Sequence, residues 1–262
     1  MVLLVVQLMN NKILCWLAAL IIGVSVVGLA TSMPVAHARS DNPTLDGTSA
    51  ISPLSANCPV STSTLSCAAA VGLNTTQAND IVVLALYADG MAVSEIIDKA
   101  GLNFAPRFGR AGSLIAEYYA IAHSVLAADN TTVVFSGTHH ALTFAATFAV
   151  AGANTRHTFD DSAGLPTNSI CSGFPVPPSC DLNIPTKLAN EFVFAITAIG
   201  NAPNCRTGFT DIFSNGWLEV DYTVPTTRGI VTFSCSRIDG SEPAEVVGDA
   251  IFPHPSHSPP TS

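Results

Sequence analysis

Residues 217–224 alternate without a break. Leu218, Val220, Tyr222 and Val224 fall on one side of the chain, and Trp217, Glu219, Asp221 and Thr223 fall on the other. A period of two is the geometry of a pleated strand, in which successive side chains point to opposite faces. On a helix the same spacing would scatter the apolar residues around the axis. Residues 141–150 repeat the pattern, with Leu142, Phe144, Ala146, Phe148 and Val150 on one face and Thr143 and Thr147 on the other. About ten short runs rich in Val, Ile, Phe, Tyr and Thr, set apart by Gly, Asn, Asp and Pro, follow each other along the chain. The other eight cover 81–87, 93–97, 103–108, 114–121, 131–136, 192–199, 230–235 and 246–252. The Asp98-Lys99-Ala100-Gly101 stretch reads as a hairpin turn, with Gly101 free to adopt positive φ. No long amphipathic helix interrupts them. The expected fold is all-β, a single antiparallel β-sandwich of jelly-roll or immunoglobulin-like type.

Residues 160–186 hold five prolines, at 166, 175, 177, 178 and 185, and read as one long loop. Residues 39–57 are rich in Ser, Thr, Asn, Asp and Pro with no sustained period, and read as a flexible linker. The sandwich domain is then expected over 58–253. The Pro-, His- and Ser-rich residues 254–262 form a loose tail.

The first forty residues carry an address. Lys12 precedes an uncharged apolar run over 13–30, and Ala36-His37-Ala38 fits the small-x-small pattern of a signal-peptidase site. Residues 1–38 are read as a signal peptide cleaved after Ala38, the alternative being an uncleaved membrane anchor. No membrane span is expected after cleavage. Of the seven cysteines, Cys15 leaves with the leader, and Cys58, Cys67, Cys171, Cys180, Cys205 and Cys235 remain. An even set in an exported chain reads as disulfides. Spacing favours Cys58 with Cys67, Cys171 with Cys180 and Cys205 with Cys235, among 15 connectivities that six cysteines allow. Each short loop so closed contributes roughly 2–3 kcal/mol by chain entropy. Zinc is disfavoured because no C-x-x-C pair is present.

Charged residues make up 11% of the chain, with 10 Lys+Arg against 19 Asp+Glu. So acidic and lysine-poor a chain lacks the electrostatic footprint for phosphate backbones or anionic lipid, and nucleic acid is not an expected partner.

The order NDIVVLALYADG, VSEIIDKAGLNFAPR, EYYAIAHSVLAADNTTVVFSG, FAVAGA and FDDSAG resembles a recurring secreted module of bacteria and archaea. In that module a D-x-V-V strand precedes a V-T-D-x-x-G hairpin, a Y-Y-A and T-V-T-V strand pair, and a D-x-x-x-G element. Asp80, Asp98, Gly101, Phe104, Tyr119 and Gly152 stand at matching positions. GWLEVDYTVPTTRGIVTFSCS is similar to the module's ending, with Asp221-Tyr222 in place of Glu-Tyr. The likeness spans residues 79–252 and implies a surface-protein sandwich. It brings no catalytic residues, and the six cysteines depart from its usual pattern.

No G-x-S-x-G element is present, and bridged cysteines leave no thiolate for nucleophilic chemistry. Trp217, Glu219 and Asp221 share one strand face, which reads either as a solvated outer surface or as a sugar-stacking platform. Successive same-face carboxylates about 7 Å apart would also suit a glycosidase pair. Glu117 shares a face with Ile115, Tyr119 and Ile121, and if buried it becomes a candidate general acid or the partner of an arginine such as Arg107 or Arg110. Asp160 and Asp161, near His157 and Gly164, are the candidate ligands for calcium, the one cofactor the sequence suggests. The leading expectation is a non-catalytic extracellular or cell-surface protein, structural or adhesive, whose partners are glycans or other surface proteins. The alternatives are a carbohydrate-binding jelly roll using the Trp217 face and a secreted glycan-active hydrolase.

Overall fold

The computed structural model describes residues 42–51, 65–88, 91–109, 112–137, 143–171, 179–198, 205, 208–236 and 244–255. The expected signal peptide and Ala38, Cys58, and the end of the tail lie outside the described residues.

The fold is all-β, with fifteen strands paired antiparallel. They are β1 (Thr44–Ile51), β2 (Leu65–Leu73), β3 (Asp80–Tyr87), β4 (Ala92–Asp98), β5 (Ala105–Phe108), β6 (Ile115–Ala122), β7 (Asp129–Gly137) and β8 (Phe144–Ala151) in the first half. The second half holds β9 (Thr167–Cys171), β10 (Ser179–Thr186), β11 (Phe192–Ala198), β12 (Thr210–Ser214), β13 (Leu218–Thr223), β14 (Gly229–Ser236) and β15 (Ala244–Ile251). All ten runs expected from the sequence are strands. Five more, β1, β2, β9, β10 and β12, are additions.

Three of these additions correct the reading of loops and linker. Residues 39–57 are not a linker throughout, because β1 pairs along the edge of β8. An edge strand needs only its main chain to join a sheet, so its Thr, Asp, Gly and Ser side chains gave no apolar period. Likewise 160–186 is not one long loop, because it holds β9 and β10. Pro185 sits in β10, opposite Ile230 of a two-stranded sheet, where a missing N–H can face away from the ladder.

The strands form four sheets. A five-stranded sheet in the order β1-β8-β3-β6-β5 faces a second in the order β12-β13-β11-β15-β9 across one apolar core. Ile81, Val83, Ala85 and Tyr87 of β3 meet that core, as do Phe192, Phe194, Ile196 and Ala198 of β11. The opposite faces of both strands are covered too. The sheet β2-β7-β4 packs over Leu84 and Leu86, and β10-β14 packs over Val193 and Ala195. Strands buried on both sides read as continuous apolar runs, which is why DIVVLALY and FVFAITA show no alternation.

The two halves share one topology. Reading β9 for β1, β10 for β2, β11 for β3, β12 for β5, β13 for β6, β14 for β7 and β15 for β8 turns each pairing of the first half, except that of β4 with β7, into one of the second. Four of the contacts between halves obey the same exchange, β6 touching β11 and β15 as β13 touches β3 and β8, whereas that of β1 with β12 does not. One irregularity matches as well, since β5 is bulged between Pro106 and Phe108, and β12 between Asp211 and Phe213. Only β4 has no counterpart among the described residues. In the corresponding connection of the second half, Cys205 is instead disulfide-bonded to Cys235 on β14.

Local detail repeats with the topology. Thr75-Thr-Gln-Ala-Asn-Asp-Ile-Val82 aligns with Thr186-Lys-Leu-Ala-Asn-Glu-Phe-Val193. Asn79 and Asn190 both take left-handed backbone, at φ 63 and 61, a conformation asparagine tolerates better than most residues. Their N–H groups donate to the carbonyls of Ala122 and Pro225, each at 2.7 Å. The Thr75 Oγ1 accepts the Leu126 N–H, and the Thr186 Oγ1 accepts the Gly229 N–H, each at 2.9 Å.

Candidate functional site

Equivalent positions in two halves invite a direct question: where do they differ in chemistry? At one corner of the inter-sheet core the second half contributes Ile212 on the β12 bulge and Val220 on β13, and the first contributes Phe148 on β8. All three are core residues, and Phe148 packs against Phe192 and Phe194 with ring centroids 6.1 and 5.3 Å apart. At the other corner the matching positions are Arg107 on the β5 bulge, Glu117 on β6 and Asp249 on β15. One apolar triad is replaced by a charged one.

The charged corner is tightly organised. Arg107 donates from Nε to Asp249 Oδ2 at 2.6 Å and from Nη2 to Oδ1 at 3.0 Å, a fork that fits a carboxylate. Its guanidinium lies 4.3 Å from the centre of the Phe159 ring, whose edge meets Tyr119 at 4.8 Å. Asp249 is fully buried, and Arg107 retains 22% side-chain exposure. Glu117 is fully buried and neither of its oxygens has a hydrogen-bond partner. Burial, followed by repulsion from Asp249, raises its pKa well above the ordinary value against the pull of Arg107. Burial also raises Asp249, opposed by its bonds to Arg107. One guanidinium cannot neutralise two carboxylates in a dry interior, so Glu117 holds its proton while Asp249 keeps the ion pair.

The sequence singled out Glu117 and offered Arg107 or Arg110 as a partner; Arg107 stands beside it, and Arg110 lies outside the described residues. It missed Asp249, which opposes them across the sandwich and is distant in sequence. Two surface cavities among the described residues, of about 400 and 500 Å³, are lined by no carboxyl group. Glu117 therefore lines neither of them.

Trp217, Glu219 and Asp221 do not form an outer face. Trp217 precedes β13 and packs against the inter-sheet core, 6.4 Å from Tyr87. Glu219 and Asp221 are 1% and 0% exposed, on the opposite face of β13. The alternation was correct, but its polar side is roofed. These two carboxyls meet Asp211 of β12, with ligand oxygens within 4.8 Å of one another. Binding through one oxygen each, three carboxylates supply half or less of the oxygens that calcium takes.

Asp160 and Asp161 separate. Asp160 is buried and accepts the N–H of Ser162 at 2.6 Å and of Lys187 at 2.7 Å. Asp161 is exposed and pairs with Lys187 Nζ. Asp46 stands where Asp160 does, since Leu45 faces Val150 as Phe159 faces Ile251. It accepts the N–H groups of Thr76 and Gln77 at 2.7 and 2.9 Å. In the second half the N–H of Leu188 goes to Glu191 instead, because Glu191 is one methylene longer than its counterpart Asp80. Both aspartates thus anchor the turn that enters the central strand.

Among the cysteines, the Cys205–Cys235 bridge is present as expected, and Cys180 is also disulfide-bonded. The side chains of Cys67 and Cys171 lie outside the described residues. No helix of the described residues is long and apolar enough to cross a membrane. No protein family matches the chain, and neither a curated protein nor a solved structure matches it.

Proposed function

We propose that this protein is a non-catalytic structural or adhesive module of the cell exterior, exported through its leader and oxidised outside the cytoplasm. One observation carries the reading: polar residues that would be candidates for chemistry are engaged in holding the chain's own fold, and they recur at equivalent places. Asp46 and Asp160 bind main-chain N–H groups in the two halves, and Asp249 is clamped by Arg107. The bridge and the leader support an extracytoplasmic address. The former sugar platform lends no support to a glycan-binding reading, because Trp217 packs inward and its two acids are covered.

The test is export from a bacterial host followed by assay of the purified, oxidised protein. Expected are loss of the leader after Ala38, no free thiols, and no release of reducing ends from a broad polysaccharide panel. Turnover that Glu117→Gln abolishes would establish a hydrolase instead.

A further inference from the structure

The described residues bury nine carboxyl groups: Asp80, Glu117, Asp129, Asp160, Glu191, Glu219, Asp221, Glu245 and Asp249. Among the described residues no lysine, arginine or histidine is buried with them, and the half-buried Arg107 pairs with Asp249. Several lie against a second carboxyl group: Asp80 against Asp46, Asp129 against Asp98, and Glu191 against Asp160, near enough for a proton on one to be shared with the other. Two carboxyl oxygens can share a hydrogen bond only if one of the groups carries a proton. Two of these pairs occupy the same place in the two halves, and Glu117 beside Asp249 lies between the halves.

We propose that this body is built for acidic surroundings: carboxyl–carboxylate pairs, together with protonated Glu117 beside the Arg107–Asp249 bridge, hold it while one member of each stays protonated, and rising pH loosens it.

The groups facing each pair do not reverse this. Around Glu117 stand Arg107 from β5, Tyr119 from β6, and Asp249 from β15, with Glu245 of β15 already bonded to Ser113 and the N–H groups of Leu114 and Ile115. Asp160 and Glu191 are faced by Lys187, Asp161 and His157 at the surface and by Asp249 from β15. Asp98 and Asp129 accept from Thr131, Ala100 and Leu102, with Lys99 in the same turn. Asp46 is met by the Thr76 hydroxyl.

An acid whose pKa rises on folding holds its proton longer in the folded chain, so folding takes up protons between the unfolded and folded values. The unfolded state gains as pH rises through that window. Burial, and then Asp160, raise Glu191 from 4.5 to about 8. Glu117 and Asp129 shift in the same direction, each chiefly by burial. Asp46 acts oppositely: burial raises it, but its hydrogen bonds prevail and hold it below 3.8, so its contribution disappears only in stronger acid.

Urea unfolding of the oxidised, leader-free protein across a pH series tests the proposal. From the Glu191 window alone, the unfolding constant should rise roughly fifty-fold between about pH 5 and about pH 7. Glutamine resembles a protonated glutamate, so Glu191→Gln and Glu117→Gln should each flatten the profile, while Asp161→Asn should leave its slope intact. A wild-type profile that is flat or rises with pH, or a slope unchanged in both glutamine variants, would overturn the proposal. Should a variant not fold, the infrared C=O band of un-ionised carboxyl groups in the folded wild type at neutral pH decides it. Its presence supports the proposal, and its absence refutes it.

Discussion

The two halves have the same strand order apart from β4 and share the bulge of β5 and β12, yet two of their equivalent places are solved by different chemistry. The inter-sheet corner at Ile212, Val220 and Phe148 is apolar, while that at Arg107, Glu117 and Asp249 holds an ion pair and an unpartnered acid. The outer layer differs as well. In the first half β4 is hydrogen-bonded to β7, and in the second a disulfide ties the connection before β12 to β14. A fold fixes where a contact must be made and leaves open how. An apolar corner is secured by burial alone, whereas a charged one depends on pairing and on the protons available.

The largest expected effect concerns the outer layer. Replacing Cys205 and Cys235 by serine opens a 30-residue loop, and chain entropy puts the loss at about 3–4 kcal/mol. Urea unfolding that moves by much less would mean that packing against Phe209 and Phe233 already fixes this segment.

Next comes the charged corner. Arg107→Ala leaves Asp249 buried without its counter-ion and should cost about 3 kcal/mol, the low end for a buried pair because the arginine is partly exposed. Writing the other corner in its place, as Arg107→Ile, Glu117→Val and Asp249→Phe together, should restore stability to at least that of the natural protein. A triple variant as unstable as the single one would show that the corners are not equivalent.

A smaller effect tests the duplication itself. Thr75→Val and Thr186→Val each leave one main-chain N–H without its hydroxyl acceptor, a loss of about 1 kcal/mol apiece. The loss at Thr75 should be the larger, because Leu126 is buried and Gly229 is exposed, and no loss at Thr186 would break the correspondence. The smallest effect is expected at Lys187. Its pairing with Asp161 is at the surface, so Lys187→Ala should leave the urea midpoint unchanged, while the main-chain bond from residue 187 to Asp160 persists.

Much of this was legible beforehand. Alternation located β8 and β13, and apolar runs located β3 and β11. The strands that escaped notice carry few apolar side chains or include a proline, and the sheet accepts them through their main chain. The repeat itself had a signal, the recurrence of Thr, Ala, Asn, an acid and Val at 75–82 and 186–193, but eight aligned residues are slight without the matching bulges. The site was half legible. Glu117 stood out as an acid on an apolar face, yet only the apposed sheet brings Asp249 to it.

The sequence by itself determined the strand class, the core faces and the oxidised character of the chain, because period, composition and cysteine spacing are local properties. The tertiary structure decided which polar face is covered and which acids meet. A residue at 107 and another at 249 acquire a common chemistry only when two sheets close over them, and Glu219 and Asp221 are cut off from water by what lies above their strand. Dielectric surroundings and charge neighbours depend on the whole fold, and no stretch of chain carries them alone.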